Sequence, residues 1–160
     1  MNVSLESLGT NTLWKKKLIF SAVFIEANKL QTAFDRNKGD VSSKQWLLLA
    51  ITSSFSEPPS LTAVGELMGC SRQNVKKIAV ILEKKGYIVL VNDLQDKRSL
   101  CIELTEKYKI LSAKMDSETD DVMKHLFNEF SDEQIDEFFH GIMKLSKGID
   151  ALDQYFQKTK

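Results

Sequence analysis

Hydrophobic residues recur at helical spacing through most of the chain, and this pattern predicts a mainly α-helical protein. A long helix is expected from residue 12 or 13 to about 36, and a short one over 63–68 lies just before the turn at 69–70. Most helices follow a residue type that caps N-termini. Capping boxes are formed by Ser42 with Gln45 and by Ser131 with Gln134, and the other predicted caps are Thr62, Ser71 and Thr105.

The segment 71–105 has the pattern of a basic amphipathic helix followed by a hairpin. Its apolar face consists of Val75, Ile78, Ala79 and Leu82. The polar side consists of Ser71, Arg72, Gln73, Asn74, Lys76 and Lys77. Gly86 ends the helix, and two apolar runs, Ile88–Val91 and Leu100–Leu104, flank a polar loop that carries Arg98. Such a helix fits the DNA major groove and such a tip fits the minor groove, so the segment predicts a winged helix-turn-helix.

The last helix carries a heptad pattern of apolar residues. The seam consists of Ile135, Phe138, Ile142, Leu145, Ile149, Leu152 and Phe156. This seam could pack on the chain's own core, or two copies of the chain could share it. The rest of the chain has few elements to cover so long a stripe, so we favour a homodimer.

A chain of 160 residues predicts one domain, residues 1–160, with a core that needs neither disulfide nor metal. The composition, 42% hydrophobic and 28% charged, is that of a globular protein. The chain has no secretory leader pattern and no apolar run long enough to span a membrane. Its two cysteines, Cys70 and Cys101, fit a reducing compartment. We therefore expect a cytoplasmic protein.

The formal net charge of zero conceals an asymmetry along the chain. Residues 61–105 carry seven Lys or Arg against five Asp or Glu, whereas residues 106–160 carry eight against twelve. DNA affinity depends on the face that docks rather than on the total charge. The balance therefore permits DNA binding without a large nonspecific affinity.

Three stretches of the chain resemble the MarR family of bacterial transcription regulators. They are the Gln-Trp entry to the second helix (Val41–Trp46), the run at 61–88, and the wing DKRSLCIELTEK at 96–107, in which Asp-x-Arg followed by Leu-Thr is the most specific piece. The resemblance implies a homodimer in which 13–36 and 106–156 are dimerisation helices and 42–105 is the DNA-binding lobe. It also implies a pseudo-palindromic operator and a repressor that a small aromatic or lipophilic ligand releases.

The resemblance also implies roles for individual residues. The polar residues of the amphipathic helix, Ser71 to Asn74 with Lys76 and Lys77, would contact base edges or phosphates, and Arg98 would enter the minor groove. Asp96 would orient Arg98 through a carboxylate–guanidinium pair. The chain departs from the family at Val80 and Ile81, where an acidic–basic pair is common, and at Leu90 and Val91, where a basic pair is usual. Both departures remove charge near DNA.

No residues at the spacing of a catalytic, cofactor or metal motif are present, so we expect neither an enzyme nor a bound cofactor. His125 with Glu129 and Asp136 with His140 are each four apart, but a closed metal site needs three or four ligands. We therefore assign no metal site.

Two further functional hypotheses remain open beside DNA-dependent repression. Phe20, Phe24 and Trp46 could line a ligand pocket, although aromatic stripes usually belong to a core. Cys70, just before a helix cap, could make the chain a thiol-based redox-sensing regulator, although free cysteines are usually buried. A winged helix with weak DNA binding that serves protein interaction is the other alternative.

Overall fold

The computed structural model describes residues 11–36, 39–93 and 99–159 of the protein. The elements in this part of the chain are α1 (Thr12–Arg36), α2 (Ser43–Ser53), α3 (Leu61–Met68), α4 (Arg72–Lys84), β1 (Ile88–Asn92), β2 (Leu100–Leu104), α5 (Glu106–Leu126) and α6 (Asp132–Lys158). The predicted class, mainly helical with a small β-hairpin wing, is confirmed. The chain divides into two compact units, residues 1–111 and residues 112–160. A single domain over 1–160 stays a prediction.

Serine side chains cap the N-termini of α2, α3, α4 and α6. The capping residues are Ser42, Ser60, Ser71 and Ser131, and both predicted capping boxes are present. The expectation that Thr62 caps the short helix was wrong. Ser60 Oγ accepts a hydrogen bond from the Ala63 N–H at 3.1 Å, so α3 begins two residues earlier and includes Thr62.

The turn between α3 and α4 depends on two glycines. Gly69 ends α3 in the left-handed region, with φ at 64°, which a residue without Cβ adopts without strain. Gly65 lies within α3, and a Cβ added there would lie 2.8 Å from the Cys70 carbonyl oxygen and 3.4 Å from Val75 Cγ2. The Cys70 N–H donates to the Gly65 carbonyl at 2.9 Å. Gly65 therefore permits the close approach that makes this helix-turn-helix compact.

The two strands form an antiparallel hairpin in which Ile88 pairs with Leu104 and Asn92 pairs with Leu100. A short segment before α3 adds to the free edge of β2, because the Ile102 N–H donates to the Pro59 carbonyl at 2.9 Å. The hairpin is thereby joined to the start of α3. The wing tip, residues 94–98, lies outside the described residues.

The core of the first unit is built from α2, α3, α4 and the hairpin. Its largest fully buried side chains are Leu48, Leu49, Leu61, Val64, Val75, Leu82, Ile88 and Ile102. Ile78, which the pattern places on the buried face of α4, is only half-buried. In contrast, no described residue of α1 or α6 is buried. The apolar stripes of these two long helices are therefore available to a partner.

Candidate nucleic-acid interface

The N-terminal half of α4 presents polar side chains to solvent on a rigid backbone. Val75, Ala79 and Leu82 are fully buried and fix the helix against the core. The predicted DNA-contacting residues of this helix are all exposed; they are Ser71, Arg72, Gln73, Asn74, Lys76 and Lys77. The structure therefore brings the six together at one end of one helix.

Not all six residues face outward in the same way. Gln73 and Lys77 are four residues apart and lie on the side of α4 opposite the buried stripe. Ser71 already has a structural role, because its Oγ accepts the Asn74 N–H at 3.3 Å as the helix cap. Gln73 and Lys77 thus face directly away from the core of the first unit.

One cation on this face was not identified from the sequence. Lys84 is exposed and follows Lys77 by seven residues, so the two lie on the same side of α4 two turns apart. The i+7 spacing is visible in the sequence and would have been sufficient to find it. Lys84 therefore adds a positive charge to the same side of α4 near the end of the helix.

The four apolar residues that replace charged residues of the family pattern differ in their exposure to solvent. Ile81 retains 45% of its surface exposed on α4, whereas Val80, Leu90 and Val91 are half-buried. Ile81 therefore interrupts the cationic side between Lys77 and Lys84 with an apolar patch.

A cluster of polar side chains anchors the C-terminal end of α4. The Tyr87 hydroxyl donates to Asp40 Oδ2, and Lys85 Nζ donates both to the Asp40 carbonyl and to Gln45 Oε1, the latter at 3.0 Å. Lys107 Nζ lies 4.7 Å from the centre of the Tyr87 ring and donates to the Lys85 carbonyl at 2.7 Å. The cluster ties the residues before α2 to the end of α4 and the start of β1 and α5.

The same contacts shift two pKa values in opposite directions. The hydrogen bond from Tyr87 is the main cause that holds the pKa of Asp40 below its usual value, and Lys85 and Lys107 act in the same sense, whereas burial opposes them. Burial, followed by the Asp40 carboxylate, raises the pKa of Tyr87 to about 12. The pair therefore holds a protonated phenol against an ionised carboxylate across the neutral range.

Tyr87→Phe is expected to weaken the first unit and to change its response to alkali. A hydrogen bond to a charged group contributes about 1.5–3 kcal/mol, so the free energy of unfolding should fall by an amount in that range. Because the pKa of Tyr87 is raised from 10.0 to about 12, its contribution is complete below pH 10 and is lost between pH 10 and 12. Denaturant unfolding at several pH values should show this alkaline loss in the parent and not in Tyr87→Phe.

Tyr155→Phe, at a residue 62% exposed, is the control. An unchanged alkaline loss in Tyr87→Phe would contradict the assignment.

The base of the wing is shielded from solvent. Cys101 is 6% exposed, and its Sγ donates to Asp93 Oδ2 at 3.5 Å. Burial is the main cause that raises the pKa of this thiol, and the Asp93 carboxylate adds to it. Cys101 is therefore a packing residue, whereas Cys70 is half-buried in the turn before α4. Asp96 and Arg98 lie outside the described residues, so their roles stay predictions.

The three aromatic residues of the predicted ligand pocket do not meet within one chain. The Phe20 and Phe24 rings contact each other at 5.3 Å, but Trp46 packs on Phe34 at 5.7 Å. Phe34 lies ten residues beyond Phe24 on α1, a distance of about 15 Å along the helix axis. A pocket that uses all three would need further walls, and it stays a prediction.

The predicted seam residues lie along the solvent-exposed surface of α6. Ile135 is half-buried, and the other six are between 36% and 55% exposed in the single chain. Within the described part of the chain, no three His, Cys, Asp or Glu side chains converge as in a metal site. No helix in that part is long and apolar enough to cross a membrane.

Several solved structures of transcription regulators are similar to this chain. A regulator of the MarR/EmrR family from Acinetobacter sp. ADP1 is 24% identical, with 85% of this chain and 97% of that chain covered and a TM-score of 0.75. MepR of S. aureus in its DNA complex is 19% identical (81% and 97% covered, TM-score 0.71). PcaV of Streptomyces coelicolor with its natural ligand is 17% identical (92% and 97% covered, TM-score 0.63).

No family model and no curated protein sequence matches the chain. At identities below 25%, the likeness to solved structures establishes the fold, and function must be argued from the site. The three similar structures each match between 81% and 92% of this chain. The chain thus has the winged-helix fold of the MarR-family transcription regulators.

Proposed function

We propose that the protein is a homodimeric MarR-family regulator that binds a pseudo-palindromic operator in double-stranded DNA. In this proposal it represses transcription in the cytoplasm and leaves the DNA when a small aromatic or lipophilic ligand binds. The observation that carries the proposal is the exposed polar half of α4, held against the core by the fully buried Val75, Ala79 and Leu82. The resemblance to transcription regulators supports a regulatory rather than an enzymatic role.

The chemistry of α4 matches what a major-groove helix requires. Gln73 and Asn74 carry amides, which pair with adenine edges, and Arg72 carries a guanidinium, which pairs with guanine or phosphate. Lys76 and Lys77 are compact charges suited to phosphates. The positions at the start of a recognition helix are those that reach base edges, and these residues lie there. MepR, which has this fold, was solved bound to DNA.

A dimer would account for the exposed apolar stripe of α6 and would supply two copies of the DNA-binding helix. A contiguous apolar surface of this length is unusual on a monomer and marks an interaction site. Two-fold symmetry matches a pseudo-palindrome whose half-sites are spaced by about one helical turn. Arg98, on the wing, would add a minor-groove contact in each half-site, with Asp96 orienting it.

Ligand release rests on the aromatic residues of α1 and α2. Trp46 is 39% exposed, so a ligand that packs on it would change its fluorescence. PcaV, which has this fold, was solved with its natural ligand. Titration of phenolic compounds into a Trp14→Phe variant, which leaves Trp46 as the single tryptophan, tests the ligand site. Trp46 fluorescence that none of the phenolic compounds changes would argue against this ligand site.

The decisive experiment is the selection of bound fragments from random DNA, followed by affinity measurements at several salt concentrations. A regulator should enrich a pseudo-palindrome and bind it less tightly as salt rises, with log K falling linearly with log salt. A protein-interaction module has no reason to show a steep dependence. If no DNA sequence is enriched and the affinity does not depend on salt, sequence-specific DNA binding is refuted.

Replacing Lys76 and Lys77 together by alanine is expected to weaken operator binding roughly thirtyfold at 0.15 M salt. Each phosphate contact contributes about 0.9 to the slope of log K against log salt, so the slope should become shallower by about 2. Lys147→Ala, on α6, is the matched control and should leave both values unchanged. A parental slope in the double variant would mean that these lysines do not contact phosphates.

A further inference from the structure

An apolar side chain lies in a row of polar side chains along α4. Ile81 is 45% exposed. Lys77 precedes it by four residues, Lys84 follows it by three and Asn74 precedes it by seven, so the four side chains lie along one side of the helix. The three polar members of this row are exposed as well. A partner that covers the row therefore covers Ile81 with it.

The core of the first unit holds α4 through side chains other than Ile81. Val75, Ala79 and Leu82 are 0% exposed and pack the helix against its neighbours. Single exposed apolar residues are common on protein surfaces, so exposure alone assigns no role to Ile81. Its position between Lys77 and Lys84 is more informative, because a partner that matches the row must be anionic beside the lysines and apolar opposite the isoleucine.

The major groove of DNA offers both kinds of surface. The phosphates along its walls are anionic, and a lysine side chain is long enough to reach them while the shorter isoleucine faces the base edges. Thymine presents a C5-methyl group in this groove, whereas the other three bases present hydrogen-bond donors and acceptors. An isoleucine packed on such polar groups removes their water without replacing its hydrogen bonds, which costs free energy. Thymine is therefore the base that matches Ile81.

We propose that Ile81 packs on the C5-methyl group of a thymine in each half-site of the operator and thereby selects a T·A pair at that position. Lys77 and Lys84 bind phosphates on either side of this contact. The proposal rests on the proposed DNA binding and goes beyond it by naming one base that the operator contains.

Removal of single methyl groups from the operator tests this contact. The operator is obtained by selection from random DNA, and each symmetric pair of thymines is then replaced by deoxyuridine, which lacks the methyl group and keeps every hydrogen-bonding group. At one pair of positions the affinity of the parent protein should fall about fifteenfold. This is about fourfold for each half-site, the factor that corresponds to the burial of one methyl group. Ile81→Ala should show no such loss at that pair and should respond as the parent does at every other thymine.

5-Methylcytosine supplies the same methyl group on a different base. When cytosine replaces the matched thymine in both half-sites, the parent should bind less tightly, and methylation of these cytosines should restore about fifteenfold in affinity. Ile81→Ala should bind the methylated and unmethylated operators equally. Ile110→Ala makes the same substitution at a position of α5 that is 74% exposed, and it is the matched control. It should keep the parental response to each methyl group.

The results separate the contact from the proposed function. If deoxyuridine has the same effect in the parent and in Ile81→Ala at every thymine, Ile81 does not pack on a methyl group, and DNA binding by the rest of α4 stands. If Ile81→Ala binds every form of the operator as the parent does, the contact is likewise refuted and Ile81 belongs to a protein-binding surface. If no sequence is enriched and the affinity does not depend on salt, the proposed function itself is refuted.

Discussion

Replacing Ile142 with aspartate is expected to convert the proposed dimer to a monomer. Ile142 is at the centre of the apolar stripe of α6 and is 41% exposed in the single chain. In the dimer the change places two carboxylates in an apolar interface without partners, and each uncompensated charge costs several kcal/mol. The dissociation constant should therefore rise by at least about a thousandfold. Sedimentation at micromolar concentration measures this directly.

The matched control for this change is Gln154→Asp. Gln154 is on the same helix and exposed, and the heptad pattern places it on the side away from the seam. It introduces the same charge and should leave the dimer intact. Leu145→Asp, in the seam, should reproduce the monomer. A stable dimer in both seam variants would show that α6 pairs through another face or not at all.

Gly65→Val is expected to cause the largest loss of stability in the first unit. The Cβ alone would lie 2.8 Å from the Cys70 carbonyl, which is backbone in a tight turn, and 3.4 Å from Val75, which is fully buried. Neither neighbour can move without shifting α4 against α3. Overpacking of this kind costs about 1–3 kcal/mol for side-chain contacts and more when backbone must move. We expect a loss of at least about 3 kcal/mol and, with α4 displaced, loss of operator binding.

Gly39→Val controls for the general effect of replacing a glycine by a β-branched residue. A Cβ at Gly39 would find its nearest neighbour, the Val41 carbonyl oxygen, at 3.9 Å, which is ordinary contact. Thermal and denaturant unfolding should therefore show a small change for Gly39→Val and a large one for Gly65→Val. Similar losses in both variants would mean that the approach of α3 to the turn is not what requires glycine at position 65.

Much of the local structure could be predicted because it depends on neighbours in sequence. Both capping boxes, the Ser71 cap and the break at Gly69 involve residues at most four positions apart, so the sequence alone predicts them. The cap of α3 is instructive because Ser60 and Thr62 are both good capping types. The pairing of Pro59 and Ser60 with β2 holds the chain extended up to Ser60, and the helix begins immediately afterwards. That pairing joins residues 41 and 43 positions apart in the chain, so local sequence could not predict it.

Some features of the candidate site could likewise be predicted from the sequence, and others could not. The exposed face of α4 followed from helical periodicity, which also contained the signal for Lys84. The cluster around Tyr87 did not, because its hydroxyl meets Asp40 across 47 positions of the chain. The separation of Trp46 from Phe20 and Phe24 was likewise hidden, since a shared apolar character says nothing about which turn of α1 meets α2.

By itself, the sequence determined which faces of the helices are apolar and which are polar, because side-chain periodicity follows directly from backbone geometry. It thereby determined the wing, the polar end of α4 and the seven-residue seam of α6. Only the tertiary structure decided which apolar faces are covered within the chain: Val75, Ala79 and Leu82 of α4 are fully buried, whereas no residue of the α6 stripe is. The physical reason is that burial depends on contacts between residues distant in sequence, and periodicity shows only that a face needs a partner.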